Sequence, residues 1–329
     1  MERLKQFDIL KAIGIILVII GHTIKGNLIG NIIYSFHMPL FFLVSGYFLK
    51  EKYPFPIKQL YRRLLKPYMV TCILLILFAC ATYFYFNKTI NWDFPLKWIL
   101  SALYGNGIKN EICNITLESV GPLWFLLALF WGTLIVQISL KYNKQCPALL
   151  TIILCVIISL YFSTHKLLLP FSIRQGMLSA GYIYLGYIIK KYYPAIIVQS
   201  KIAWIPLFII WIMSIKSGFL SILQGYANPE LITLLGALCG TYFAYLLSIW
   251  LTKNKRATTI FCSIGKLTLL ILCIHTIEDI LVPWQKIINE IPMYSNITQV
   301  IVTVVRLIAV MGIVYLIKNM SFIKKTFNI

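Results

Sequence analysis

The stretch FDILKAIGIILVIIGHTI, residues 7–24, decides the fold, because it has the length of a membrane-crossing helix and yet carries ionisable side chains. At about 100° per residue, one stripe of this helix holds all of them. A charged side chain that faces lipid costs at least about 2.5 kcal/mol at a helix centre. We therefore expect the stripe to face protein or a watery cavity, as at a functional site. Its members are Asp8, Lys11, Ile15, Val18 and His22.

The composition indicates an all-α polytopic membrane protein. Of the 329 residues, 60% are hydrophobic and 12% are charged, and the mean hydropathy is +0.83, which is too apolar for a soluble domain of this size. Segments of membrane-crossing length predict a bundle of about ten transmembrane helices. The predicted spans are residues 7–25, 30–49, 67–87, 121–140, 148–163, 172–189, 202–217, 231–251, 261–281 and 298–317.

The distribution of lysine and arginine predicts the topology. Loops on the side of the N-terminus carry most of the basic residues, which places both termini in the cytoplasm. The net charge of +20 then reflects contact with anionic membrane lipid and gives no reason to invoke nucleic acid. The first span is predicted to stay in the product, because Asp8 and Lys11 interrupt its apolar run. We expect one membrane domain over residues 1–329, with no separate soluble domain.

Two histidines in the first two spans are candidates for acid–base chemistry. A short outward connection joins the spans of His22 and His37, so we expect the imidazoles to be neighbours, and imidazole suits general-base work near neutral pH. In the second span, IIYSFHMPLFFLVSGYFL, residues His37 and Ser45 lie near one face, and Pro39 is expected to kink or open the helix. The alternative is an ordinary Pro-kinked helix, and a lone histidine such as His275 is as readily explained by hydrogen bonding between helices.

Other polar residues fall into two sets. The basic segment at residues 50–67 contains the cluster RRLLK. This cluster either binds phosphate or only reflects the excess of basic residues in cytoplasmic loops. An outward loop at residues 88–121 contains a possible interfacial helix over Pro95–Tyr104. Arg174 and Arg306 either belong to an outward cluster with the histidines or neutralise Glu278 or Asp279. The sequence holds no CxxC, HExxH or Gly-rich phosphate loop, so neither a metal nor a permanently bound cofactor is expected.

These residues resemble the integral-membrane acyltransferase family 3, especially its glycan O-acetyltransferases of the fucose 4-O-acetylase-like branch. The resemblance covers most of the chain. Members open with a basic residue, ten intervening residues and a histidine, which are Lys11 and His22 here, although many members have arginine in place of Lys11. The other matching stretches are FHMPLFFLVSGYF at 36–48, RRLLKPY at 62–68, GPLWFLLALF at 121–130 and SIGKLTLLILCIH at 263–275.

The resemblance implies acyl transfer from acetyl-coenzyme A, as a co-substrate, to a sugar hydroxyl of a surface polysaccharide or a lipid-linked glycan precursor. It implies a bacterial cytoplasmic (inner) membrane location. His22 would be the general base on the acceptor hydroxyl, and His37 would orient it, share the proton or polarise the thioester carbonyl. A covalent acetyl-histidine intermediate is the competing mechanism. The phosphates of the donor would meet Lys11, Arg62, Arg63 and Lys66. Supporting or acceptor-side roles are expected for Asp8, Ser45, Trp124, Arg174, His275 and Glu278.

A proton-coupled transporter is the alternative from another class, because intramembrane His, Asp, Lys and Arg also build proton relays. Transporters commonly show paired repeats with interrupted helices in both halves. Only one clear proline interruption lies near a histidine in this sequence, at Pro39. The acyltransferase is therefore the favoured interpretation.

Overall fold

A computed structural model gives the structure of the protein and describes residues 4–24, 28–51, 57–88, 92–105, 107–112, 115–142, 145–165, 167, 169–192, 204–224, 226–228, 230–290, 295–327 and 329. The fold is overwhelmingly helical. Its helices are α1 Lys5–Thr23, α2 Leu28–Tyr47, α3 Ile57–Leu60, α4 Lys66–Asn87, α5 Asp93–Tyr104, α6 Trp124–Tyr142, α7 Gln145–Thr164, α8 Ile173–Tyr192, α9 Trp204–Ser217, α10 Glu230–Thr252, α11 Lys255–Lys266, α12 Thr268–Leu281, α13 Trp284–Asn289, α14 Ser295–Ile317 and α15 Ser321–Phe327.

Two short antiparallel hairpins interrupt the helices. Strands β1 Asn110–Ile112 and β2 Ile115–Leu117 pair with Glu111 opposite Thr116. Strands β3 Phe219–Ser221 and β4 Tyr226–Asn228 pair with Leu220 opposite Ala227. Each strand has only three residues.

The described residues contain seven helices that are long and apolar enough to cross a membrane, or eight if a bent pair counts as one span. The all-α polytopic class is therefore confirmed. A helix lies at each of the ten predicted positions, but α9 is short, and α8 is outside the seven. The count of ten spans and the cytoplasmic placement of both termini stay predictions.

The predicted ninth span, residues 261–281, is not one helix. Helices α11 and α12 meet at a bend of 67°. The backbone leaves helical geometry at Leu267, with φ −100° and ψ 7°, and the Thr268 hydroxyl donates to the Gly265 carbonyl at 2.8 Å. Hydropathy averaged over the span hides this break, because the apolar residues farther along both helices outweigh Lys266 and Thr268 beside it.

The chain divides into two compact units. The first comprises residues Met1–Lys52, Gly132–Leu167 and Met177–Thr268, and the second comprises Tyr53–Trp131, Leu168–Gly176 and Leu269–Ile329. These are units of packing, and the single domain predicted over residues 1–329 stays a prediction.

In the first unit, α1 packs against α2, α10 and α11, and α10 packs against α9. Glycines let these helices approach closely. A Cβ atom at Gly46 would lie 1.9 Å from the Ile183 carbonyl oxygen, and one at Gly186 would lie 2.1 Å from the Leu43 oxygen. Helices α2 and α8 therefore cross backbone to backbone. The core beside them is formed by Phe7, Leu10, Phe36, Leu40, Val44 and Ala244.

In the second unit, α4 packs against α5, and α13 packs against α14. Its core centres on Leu75, Ala79 and Trp98. A helix is present at the predicted position 95–104, as α5, whereas its place at the membrane interface stays a prediction. The helix ends at Gly105, whose φ of +66° suits glycine. The Gly105 carbonyl accepts a hydrogen bond of 2.7 Å from the Ser172 hydroxyl, which fastens the start of α8 to the end of α5.

Candidate active site

The polar stripe of α1 turns inward, as its spacing requires. Ile15 and Val18 are 1% and 2% exposed, and Asp8 is 4% exposed. Lys11 Nζ lies 2.8 Å from Asp8 Oδ1, and about a third of the lysine side chain stays accessible. Because a buried carboxylate requires a cation, pairing with Asp8 is the structural role of Lys11.

Helix α11 secures the end of α1 that carries this ion pair. A Cβ atom at Gly265 would lie 1.9 Å from the Asp8 carbonyl oxygen, so the two backbones touch. Cys262 Sγ lies 3.7 Å from the Lys5 carbonyl oxygen. The side chain of Asn254 caps α11 by accepting from the Ala257 amide at 3.1 Å. The N-terminal end of α1 is therefore held by backbone contact as well as by side chains.

Tyr34 links the two histidine-bearing helices. Its hydroxyl donates a hydrogen bond of 2.9 Å to the Gly21 carbonyl, and its ring meets the His37 ring edge to face at 5.1 Å. A Cβ atom at Gly21 would lie 3.2 Å from Ile33 Cγ2, so glycine keeps the two helices close here. His22 follows Gly21 in the chain, so the Tyr34 hydrogen bond holds the end of α1 that bears His22 against α2. The two imidazoles thus share one end of the α1–α2 pair.

The hydrogen bond of His37 fixes which ring nitrogen is available for chemistry. Its Nδ1 lies 2.9 Å from the Ile33 carbonyl oxygen. A carbonyl only accepts, so Nδ1 carries the proton and, in the neutral ring, Nε2 holds the lone pair. His37 is 4% exposed, which leaves its ring little freedom to turn. The neutral ring can accept a proton only at Nε2.

The rest of α2 departs from the sequence interpretation at one point. The helix runs from Leu28 to Tyr47 without a break at Pro39, so the expected opening of the helix is not found. Ser45 is half-buried and lies two turns beyond His37, about 12 Å along the axis. It shares a face with His37 but does not contact it.

A buried charge cluster occupies α12 and α14 in the second unit. Arg306 is 0% exposed, and it binds Glu278 with both arms of its guanidinium, at 2.8 Å from Nε to Oε1 and 3.1 Å from Nη2 to Oε2. Its Nη2 also lies 2.5 Å from Asp279 Oδ1. Arg306 therefore neutralises both carboxylates, which is one of the two roles considered for it.

His275 belongs to the same cluster. Its Nδ1 lies 3.1 Å from Glu278 Oε2, and the ring is 0% exposed. Trp284 covers the other side of the guanidinium, with its ring centroid 5.5 Å from Arg306 Cζ. Trp284 was not among the residues singled out from the sequence, because an indole near a predicted membrane boundary is ordinary.

The GPLW turn packs beside this cluster. Gly121, with φ of +55°, opens a 3₁₀ turn, and a Cβ atom there would lie 3.4 Å from Thr276 Cγ2. Trp124 follows at the start of α6 and is 5% exposed. The turn therefore brings the beginning of α6 against α12, one residue beyond His275.

Arg174 follows a strained segment. Phe171 and Ser172 have φ of 56° and 51°, values that side-chain-bearing residues rarely adopt. The Ser172 hydrogen bond to Gly105 helps to hold this geometry. Arg174 lies two residues later, in the first turn of α8, and is 5% exposed. Strain of this kind concentrates at functional sites.

The basic segment forms a distinct surface at the start of α4. Arg62 and Arg63 are exposed and lie in a π-helical turn, Tyr61–Leu65, a geometry that is frequent at functional sites. Lys66 Nζ donates to the Lys325 carbonyl at 3.0 Å. The structure thus adds the basic helix α15 to a surface that the sequence predicted from RRLLK alone. The sequence did not reveal this contact, because Lys66 and Lys325 are far apart along the chain.

Comparison with known proteins bears on these groups. The family model described as an acyltransferase domain, of acyltransferase family 3, matches residues 4–318. The chain belongs to this family. The matched range includes every candidate residue described above except Lys325. No solved structure matches this acyltransferase-family chain.

Two curated relatives are similar over part of their length. Nodulation protein NolL of Mesorhizobium japonicum is 25% identical over 155 residues, which are 42% of this chain and 36% of the relative. Nodulation protein NolL of Sinorhizobium fredii is 27% identical over 153 residues, 42% of this chain and 37% of the relative. The matches therefore span little more than a third of these relatives. Membership of acyltransferase family 3 rests on the family model.

Proposed function

We propose that this protein is an O-acyltransferase that moves an acetyl group from cytosolic acetyl-coenzyme A to a sugar hydroxyl of a surface polysaccharide or lipid-linked glycan precursor. The observation that carries the proposal is the pair His22 and His37, which share one end of α1 and α2 in a chain that belongs to an acyltransferase family. Two imidazoles at that place supply the acid–base chemistry that ester formation needs.

In the proposed reaction, a ring nitrogen of His22 takes the proton of the acceptor hydroxyl. The hydroxyl oxygen forms a bond to the thioester carbonyl carbon, and the carbon–sulfur bond then breaks. The proton passes from the imidazolium to the leaving thiolate, which departs as coenzyme A. His37 holds its own Nδ1 proton on Ile33, so its neutral ring would orient His22 or the acceptor through Nε2 by accepting a hydrogen bond.

The phosphates of the donor require cations at the cytoplasmic side. Arg62 and Arg63 are exposed and can form two-pronged contacts with phosphate oxygens. Lys66 uses one of its three N–H donors in the hydrogen bond to the Lys325 carbonyl. Lys11, paired with Asp8, keeps part of its side chain accessible. We propose that these four residues bind the donor, with Asp8 setting the position of Lys11.

On the acceptor side, we propose roles for Trp124, Arg174, His275 and Glu278. Aromatic rings stack on sugar faces, and Trp124 lies at the start of α6 beside α12. Ser45 lies about 12 Å from His37 along α2, and we propose that it lines the path of the donor's arm without touching the reacting atoms. A bacterial cytoplasmic membrane location belongs to the same proposal.

The experiment is transfer of radiolabelled acetyl from acetyl-coenzyme A by membranes that contain the protein and the host's lipid-linked glycans. We expect label in glycan with wild type and none with His22→Ala. The matched control is His165→Ala, because His165 is exposed and its ring packs against Tyr161 near the end of α7. Near-normal transfer by His22→Ala would remove the assignment of the base.

The donor contacts are tested in the same membranes. We expect Arg62→Ala and Arg63→Ala to raise KM for acetyl-coenzyme A, with an effect that shrinks at high salt, because contacts of exposed charges are screened. If wild type moves no label and binds no donor, while liposomes show a coupled pH change, the transporter is supported and the proposed function is wrong.

A further inference from the structure

We propose that Arg306 and Glu278 are positioning residues for His275, fixing its ring so that His275 acts through Nε2. The role of His275 in catalysis rests on the proposed function, whereas the fixed orientation of its ring does not. Arg306 holds Glu278, and Glu278 in turn holds the Nδ1 proton of His275. The three side chains form one buried chain of hydrogen bonds within the second unit.

The first step is the grip of Arg306 on Glu278. A guanidinium that binds one carboxylate with two nitrogens fixes its plane as well as its distance. The contacts of 2.8 Å and 3.1 Å have that geometry. Lysine would supply the charge without the fork. Arg306 therefore orients Glu278 and supplies a cation in a place where a carboxylate without one would be costly.

The second step is the contact between Glu278 and His275. An ionised carboxylate only accepts hydrogen bonds, so at 3.1 Å from Glu278 Oε2 the Nδ1 atom of His275 must carry a proton. In the neutral ring, Nε2 then holds the lone pair and is the nitrogen that can accept a proton. The arrangement matches that of an imidazole whose carboxylate partner fixes tautomer and orientation, with Arg306 added behind the carboxylate.

The third step is the surrounding geometry. Trp284 covers the guanidinium of Arg306, and Asp279, like Glu278, contacts it. Three side chains therefore fix the position of Arg306. His275 is 0% exposed and its α12 neighbour Thr276 lies against the Gly121 turn. The imidazole is thus held by the packing around it and by its hydrogen bond with Glu278. Such support is what a group that must meet a substrate at one atom requires.

The test reads the tautomer directly. The chain has four histidines, so protein labelled with ¹⁵N-histidine in nanodiscs gives a small set of ring signals, which single His→Asn variants assign. We expect neutral His275 to show the Nδ1–H form in wild type. An Nε2–H form, or an imidazolium over the whole accessible pH range, would overturn the proposal. This measurement needs no substrate, so it stands apart from any failure of the transfer assay.

The variants extend the test to function. Glu278→Gln should lose the single Nδ1–H form, and Arg306→Lys should broaden or mix the forms, while the control Glu290→Gln, an exposed carboxylate in the same unit, should leave them unchanged. In the transfer assay, we expect kcat of Glu278→Gln and Arg306→Lys to fall by about tenfold or more, with KM for the donor nearly constant. A purely structural cluster would lower the yield of folded protein and leave kcat per folded molecule and the tautomer unaltered.

Discussion

The hydroxyl of Tyr34 donates a 2.9 Å hydrogen bond to the backbone carbonyl of Gly21, the residue before His22. This bond ties the last turn of α1 to α2 at the level of His37, whose ring the tyrosine also contacts. The position of His22 therefore depends on α2 as well as on its own helix.

Tyr34→Phe keeps the ring and removes only the hydroxyl. We expect a loss of about 0.5–1.5 kcal/mol in stability and a drop in kcat of several-fold, because His22 loses a support while the donor contacts are unaffected. Transfer kinetics and thermal unfolding of detergent-solubilised protein measure the two effects. Tyr315→Phe, at an exposed tyrosine of α14, is the control, and equal kcat values for the two variants would contradict the prediction.

Lys11 and Asp8 have separable roles. Lys11→Ala removes the cation that pairs with a buried carboxylate, so we expect a loss of about 1–3 kcal/mol in stability together with a raised KM for acetyl-coenzyme A. In the double variant Asp8→Asn/Lys11→Ala, the stability should return toward wild type and the KM should stay high. A wild-type KM in the double variant would show that Lys11 does not bind the donor.

The crossing of α2 and α8 leaves no room for a methyl group. Gly46→Ala places a Cβ atom where the Ile183 carbonyl oxygen lies, and a backbone atom cannot turn aside as a side chain can. We expect a destabilisation of about 1–3 kcal/mol or more and poor recovery of folded protein by size exclusion. Gly312→Ala is the control, since nothing lies within 4 Å of that Cβ position, and it should behave as wild type.

Glu51 predicts a pH effect on stability. The hydrogen bond from Tyr187, together with Lys191, lowers the pKa of the Glu51 carboxyl below its usual 4.5. A lowered pKa means that the folded state favours the charged form, so the stabilisation is present above about pH 4.5 and is lost as the pH falls through the folded-state pKa.

We therefore expect wild type to be more stable than Glu51→Gln at pH 7 and the difference to shrink at pH 4 and below. Because Glu51 is largely exposed, the difference should be under about 1 kcal/mol. Thermal unfolding across this pH range measures it. A difference that grows toward acid pH would contradict the assigned hydrogen bond.

Hydropathy and helical spacing predicted the positions of the helices and the inward face of α1, because both depend on local sequence. Spacing also placed Asp8 and Lys11 on one stripe, but the ion pair between them was not predicted. Tyr34 with Gly21, and Lys66 with Lys325, come from packing between distant segments, which one sequence does not record. The bend at Leu267 also escaped prediction, since hydropathy averaged over a whole span does not register the polar residues Lys266 and Thr268 on either side of it.

The partners of Arg306 have a consequence for how the chain is made. Glu278 precedes Arg306 by 28 residues, which a ribosome adds in about one to six seconds at 5–20 residues per second. During that interval, α12 leaves the ribosome with two acidic side chains and without the arginine that neutralises them. Entry of α12 into the lipid is therefore expected to wait for α14, so that the two helices partition into the membrane together.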